Sequence, residues 1–87
     1  MITYTNDTTN RLIAALPRHL FDPNDRYHNG PIALDAKRIP EYIALGWYTR
    51  EFVDYFLSYP YAEDKTDKYA FRIRRQDELI KLYIWKL

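Results

Sequence analysis

Tyr69-Ala70-Phe71-Arg72-Ile73-Arg74-Arg75-Gln76-Asp77-Glu78-Leu79-Ile80-Lys81-Leu82-Tyr83-Ile84-Trp85 is the stretch on which the fold turns. Tyr69, Phe71 and Ile73 alternate with Ala70, Arg72 and Arg74. Ile80, Leu82 and Ile84 alternate with Leu79, Lys81, Tyr83 and Trp85. A period of two puts successive side chains on opposite faces of a strand, so both runs read as half-buried strands of an antiparallel hairpin. Opposing Ile73 to Ile80, Phe71 to Leu82 and Tyr69 to Ile84 gives one continuous apolar face. No glycine stands between the runs, which points to a four-residue loop rather than a tight primed turn.

The reverse face of this ribbon carries Arg72, Arg74, Lys81, Tyr83 and Trp85. Arginine and aromatic side chains make interface hot spots, and they also stack bases and hold phosphates. These five residues are the candidate partner-binding set. The alternative is a structural one: a lone hairpin is marginal, and the N-terminal helix or an Ile2-Thr3-Tyr4 strand would then cover Tyr83 and Trp85.

Upstream, Leu12, Leu16 and Leu20 recur at helical spacing in a segment over Thr8–Leu20, which Pro17 ends or kinks near Leu16. Residues 21–31 hold Asp-Pro, Asn-Asp and Asn-Gly-Pro and form a loop. Pro31-Ile32-Ala33-Leu34 reads as a short strand or extended chain, and Asp35 caps a turn through Ala36-Lys37-Arg38. Pro40 opens a helix through Leu45 that Gly46 stops in the left-handed region. Thr49 then caps a helix whose apolar arc is Phe52, Val53, Phe56, Leu57 and Tyr59, ended by Pro60. Residues 61–68 read as a charged loop.

The expected fold class is therefore α+β. It is a single domain over residues 1–87, with two to three short helices, a C-terminal antiparallel hairpin, and a short N-terminal strand as an added element. Helix, extended piece, helix, turn, helix, hairpin is the order of a winged helix. Glu41-Tyr42-Ile43-Ala44-Leu45-Gly46 followed by Trp47-Tyr48-Thr49-Arg50-Glu51-Phe52 resembles a helix-turn-helix with glycine in the turn. That resemblance implies a second helix offering Arg50, Glu51, Asp54, Tyr55 and Ser58 to a partner. Two acids against one base repel phosphate, so Tyr55 joins the candidate partner-binding residues on a protein-facing reading.

Composition narrows the function. The chain of 87 residues carries 13 Lys+Arg and 12 Asp+Glu, a net charge of +1 that supplies no bulk field for nucleic acid. With no cysteine there is no disulfide, thiolate metal site or cysteine nucleophile. No apolar run approaches the roughly 18 residues of a membrane span, and the first residues lack the pattern of a secretory signal, so no membrane association and a cytoplasmic location are expected. Asp22, Asp25 and His28 are spaced by three, but Pro23 and the turn residues around it favour solvated carboxylates over a metal site. His19 beside Arg18 has no recognisable catalytic partner, and no phosphate-cradling or hydrolase motif is present, so no enzyme, cofactor or metal is expected. Tyr42, Trp47, Tyr48, Tyr55, Tyr59 and Tyr61 form a second aromatic concentration, expected to be core or half-buried with hydroxyls at the rim.

Nine Tyr in a compact, cysteine-free, nearly neutral chain make a profile that is similar to that of phage or mobile-element accessory proteins that block a host machine, anti-CRISPR inhibitors included. The likeness is one of size and composition. It implies a non-enzymatic protein-binding module acting as an inhibitor. The alternative is a winged-helix-like nucleic-acid-binding regulator that uses the basic and aromatic hairpin.

Overall fold

A computed structural model describes residues 6–25, 27, 30–59 and 62–87. Along the chain run α1 (Asn6–Ala14), β1 (Ile32–Asp35), a 3-10 turn (Ala36–Arg38), α2 (Ile39–Ala44), α3 (Arg50–Ser58), β2 (Glu63–Lys65), β3 (Tyr69–Gln76) and β4 (Leu79–Lys86). The four strands form one antiparallel sheet in the order β1-β4-β3-β2. The fold is α+β; helices precede the C-terminal hairpin as expected, and β1, placed between α1 and α2, pairs with β4.

Local chemistry sets the helix ends. Thr49 Oγ1 accepts from the Phe52 N–H at 3.1 Å, and Asp35 accepts from the Lys37 N–H at 3.0 Å, each satisfying a first-turn donor. Pro40 occupies the first turn of α2, where its missing N–H is no loss. Gly46 follows the helix at φ 77°, a left-handed conformation that other residues adopt at a cost. α1 stops at Ala14, and a looser turn carries the chain past Pro17, whose carbonyl accepts from Leu20 and Phe21 N–H groups.

One apolar cluster joins the helices to one face of the sheet. It holds Leu12 and Ile13 of α1, Ile39 and Tyr42 of α2, Phe52, Val53, Tyr55 and Phe56 of α3, and Ile32, Leu34, Phe71, Ile73, Leu82 and Ile84 of the strands. Phe71 is 1% exposed and meets the rings of Phe56 and Tyr59 edge-on, each at 5.3 Å between centroids. Polar clamps fix α1. Thr9 and Tyr55 share a buried hydrogen bond, Arg11 reaches Glu51 at 2.6 Å, and Asn10 holds the turn after β2 through Thr66 and Asp67.

The hairpin faces are as the alternation predicts, but the register is not. Ile73 opposes Leu82 and Phe71 opposes Ile84, two residues away from the expected pairs. The physical reason is the turn. Gln76 pairs with Leu79, so only Asp77 and Glu78 form the loop, not the four residues that the absence of glycine predicts, and Asp77 takes φ 55°. Aspartate tolerates that region better than most residues do. A shift of two keeps every side chain on its face, which is why the pattern survived the error. The segment read as a charged loop contains β2, whose pairing with β3 fixes Glu63 opposite Arg72. The expected N-terminal strand lies outside the described residues, as do His28 and Tyr61.

Candidate functional site: the open sheet face

Because the helices share their core with one sheet face, side chains of opposite parity project from the other. Across β1, β4 and β3 one row reads Ala33, Lys81, Arg74; the next reads Tyr83, Arg72, Glu63 over β4, β3 and β2; the last reads Trp85, Ala70, Lys65. Arg72, Arg74, Lys81, Tyr83 and Trp85 therefore share one surface. α1 does not cover it, since its buried residues belong to the core on the opposite side.

Exposure differs within the set. Trp85 is 42% exposed, Arg74 is exposed, and Arg72, Lys81 and Tyr83 are half-buried. Arg74 and Lys81 stand directly opposite one another, and neither has a carboxylate partner among the described residues. Like charges at facing positions are destabilising in a sheet. Arg72 donates to Glu63 at 3.1 Å, yet its Nε–H is buried without an acceptor among the described residues. Beside it, Gly30, Tyr83, Ile84 and Trp85 complete a shallow cavity of about 190 Å³.

Tyr55 does not belong to this surface. It is 2% exposed, bonded to Thr9, and packed edge-on against Phe56 and Tyr59. As a partner-binding residue it is a misplacement: α3 buries four of its nine residues, so its apolar arc is wide enough to take in position 55. The other face of α3 stays exposed at Arg50, Glu51, Asp54 and Ser58. Its exposed Glu51 is held by Arg11, whose hydrogen bond keeps that carboxyl below the usual carboxylate range, and Arg50 lies 3.9 Å from Asp54. Tyr42 is buried and stacked on Trp47 at 5.8 Å.

The other aromatic residues are mainly core, as expected. Tyr48 is 4% exposed, and burial, with Tyr42 close by, pushes its phenol up to about 12. Tyr59 donates to Asp64; burial first and that carboxylate second raise the phenol, while the same bond lowers Asp64. His19 meets Trp47 edge-on at 5.4 Å, and Arg75 donates to the Leu57 carbonyl at 2.7 Å. Among the described residues no group of three or more metal-ligating side chains converges, and no helix is long and apolar enough to cross a membrane.

Sequence reading missed Glu63 and Lys65 on this face, because a run of three charged residues has no alternation to reveal a strand. Searches of protein-family models, curated proteins and solved structures returned no match to the chain.

Proposed function

We propose that this chain is a non-enzymatic protein-binding module that engages an acidic patch on its partner through the open sheet face. The observation that carries the reading is the Arg74–Lys81 juxtaposition, two facing cations with no carboxylate partner among the described residues. A partner carboxylate placed there relieves their repulsion and gains charge-assisted hydrogen bonds. Trp85 and Tyr83 beside them supply flat apolar area at low entropic cost.

A protein ligand is favoured over nucleic acid by the distribution of charge. Glu63 lies on the same face against Arg72, and Arg50 sits on α3 in the opposite layer with Asp54. Among the described residues no basic stripe joins Arg50 to Arg72 and Arg74, which a phosphate backbone would require. The small, nearly neutral, tyrosine-rich profile fits a cytoplasmic inhibitor carried by a phage or mobile element and directed at a host defence machine, of which anti-CRISPR proteins are one kind.

The test is affinity capture from host extract with and without nuclease, followed by binding of the captured partner at several salt concentrations. The reading expects nuclease-resistant capture and a modest loss of affinity with salt. Capture abolished by nuclease, or a steep log–log salt slope, favours the nucleic-acid regulator instead.

A further inference from the structure

Both sheet edges are single strands, but they are finished differently. β2 presents Glu63, Asp64 and Lys65, charged residues of the kind that discourage another strand from pairing. β1 presents Ile32, Ala33 and Leu34, with no charge until Asp35.

The phase of the ladder shows which backbone groups β1 turns outward. Gln76 and Leu79 flank the two-residue turn and close it as a hydrogen-bonded pair. Alternation then turns the N–H and C=O of Ile80 and Leu82 toward β1, onto Leu34 and Ile32. The Ala36 N–H bonded to the Glu78 carbonyl at 3.0 Å keeps the same phase. The N–H and C=O of Ala33 therefore point away from the sheet, where the described residues supply no further strand.

Alongside this edge runs a cleft of about 360 Å³. One wall is the chain from Gly30 to Ala33, and His19, Arg38, Tyr42, Trp47 and Tyr48 line the remainder. Among the described lining residues there is no carboxylate. Arg38 lies 5.2 Å from the Tyr42 ring centroid and is held by Glu41 through Nε and one terminal nitrogen, which leaves the other terminal nitrogen to a ligand. The Tyr42 and Tyr48 side chains are 7% and 4% exposed.

We infer that β1 and this cleft form a docking groove for an extended acidic peptide segment, which adds as a fifth strand at Ala33 and sends a side chain among Tyr42, Trp47 and Tyr48. Main-chain bonds to an exposed edge supply affinity in such complexes, and pockets for alternate side chains supply selectivity. The charge is what commits the occupant: Arg38 borders the groove, no carboxylate lines it among the described residues, and an acidic residue of the peptide complements the free guanidinium nitrogen. This groove adjoins the open face at Gly30 and Ala33, but its occupant is argued from the strand edge and not from what binds that face.

The experiment is a titration of the full chain, followed by amide and indole N–H signals. The probe is an acetylated, amidated hexapeptide of alternating valine and glutamate. Its valine–lysine counterpart and a form N-methylated on alternate backbone amides serve as controls. Shifts at Ala33 and at the Trp47 indole are expected with the acidic peptide, with the dissociation constant at least tenfold weaker for both controls. Ala33→Pro should abolish binding and leave the fold intact, because the lost N–H makes no bond within the sheet. Arg38→Glu should weaken the acidic peptide at least tenfold. The inference is overturned if millimolar acidic peptide leaves Ala33 and Trp47 unmoved. Equal binding of the N-methylated or lysine peptide, or shifts confined to Trp85, overturns it too. If Ala33→Pro fails to fold, the ladder phase is wrong and the inference falls with it.

Discussion

Replacing Arg72 by methionine should make the protein more stable and its open face less able to bind. Two opposing contributions decide the sign. The Arg72–Glu63 pair spans 3.1 Å between side chains that are 40% and 63% exposed, a setting in which an ion pair contributes about 0.2–1 kcal/mol. Against it stands the Nε–H, buried with no acceptor among the described residues, and a buried unsatisfied donor costs about 1–3 kcal/mol. Methionine removes both while keeping an unbranched stem beside Tyr83. The balance is a gain of about 0–3 kcal/mol. In a domain of this size each kcal/mol moves Tm by about 4–8 °C. Urea melts of Arg72→Met and wild type, followed by the fluorescence of Trp47 and Trp85, give the difference directly. A loss of 1 kcal/mol or more would refute the reasoning, because it would mean that the guanidinium holds β2 to the sheet. A side chain that lowers stability at the centre of an open face is what a trade between stability and binding produces.

Other expectations follow from the core, the turn and the buried phenols. Phe71→Ala should cost about 3–5 kcal/mol in chemical denaturation; less than about 1 kcal/mol would show that the helices do not rest on that ring. Asp77→Val should destabilise by about 1–2 kcal/mol, since a β-branched residue resists φ 55°, whereas Asp77→Gly should not, and equal melts for the two would remove the two-residue turn. Asp64 titrates below its ordinary value because Tyr59 donates to it, so its contribution is present above the unfolded value near 4 and fades as pH falls through the depressed folded value. The stability gap between wild type and Tyr59→Phe should therefore narrow in acid; a gap independent of pH would contradict the pairing. The Tyr48 phenol, raised to about 12 by burial, contributes stability that is intact below about 10 and lost as pH rises through about 12. Absorbance-detected titration should find a tyrosine ionising together with the loss of native structure.

What could be read in advance follows from which signals are local. The alternation over residues 69–85 assigns every side chain to a face without knowledge of its partner strand, and Thr49, Pro40 and Gly46 mark helix ends by their own backbone and side-chain chemistry. Register is different: it depends on the turn, and one aspartate in a left-handed conformation moved it by two. β2 was illegible because Glu63-Asp64-Lys65 becomes a strand only through its pairing with β3. Tyr55 was misplaced because a helix read by itself does not reveal how much of its circumference the sheet and α1 enclose. The facing cations at Arg74 and Lys81 needed the true register, since the expected one sets Arg74 opposite Leu79.

The central claim is that the open face, with Arg72 and Arg74 at its middle, is where the partner binds. Titration calorimetry of the captured partner against Arg72→Ala/Arg74→Ala, beside a thermal melt of the same variant, tests it most directly. The account predicts a melt within a few degrees of wild type or above it, together with a loss of affinity of about 1–4 kcal/mol, roughly tenfold or more. Full affinity with an unchanged melt would contradict it and reduce the hairpin's outer face to scaffold.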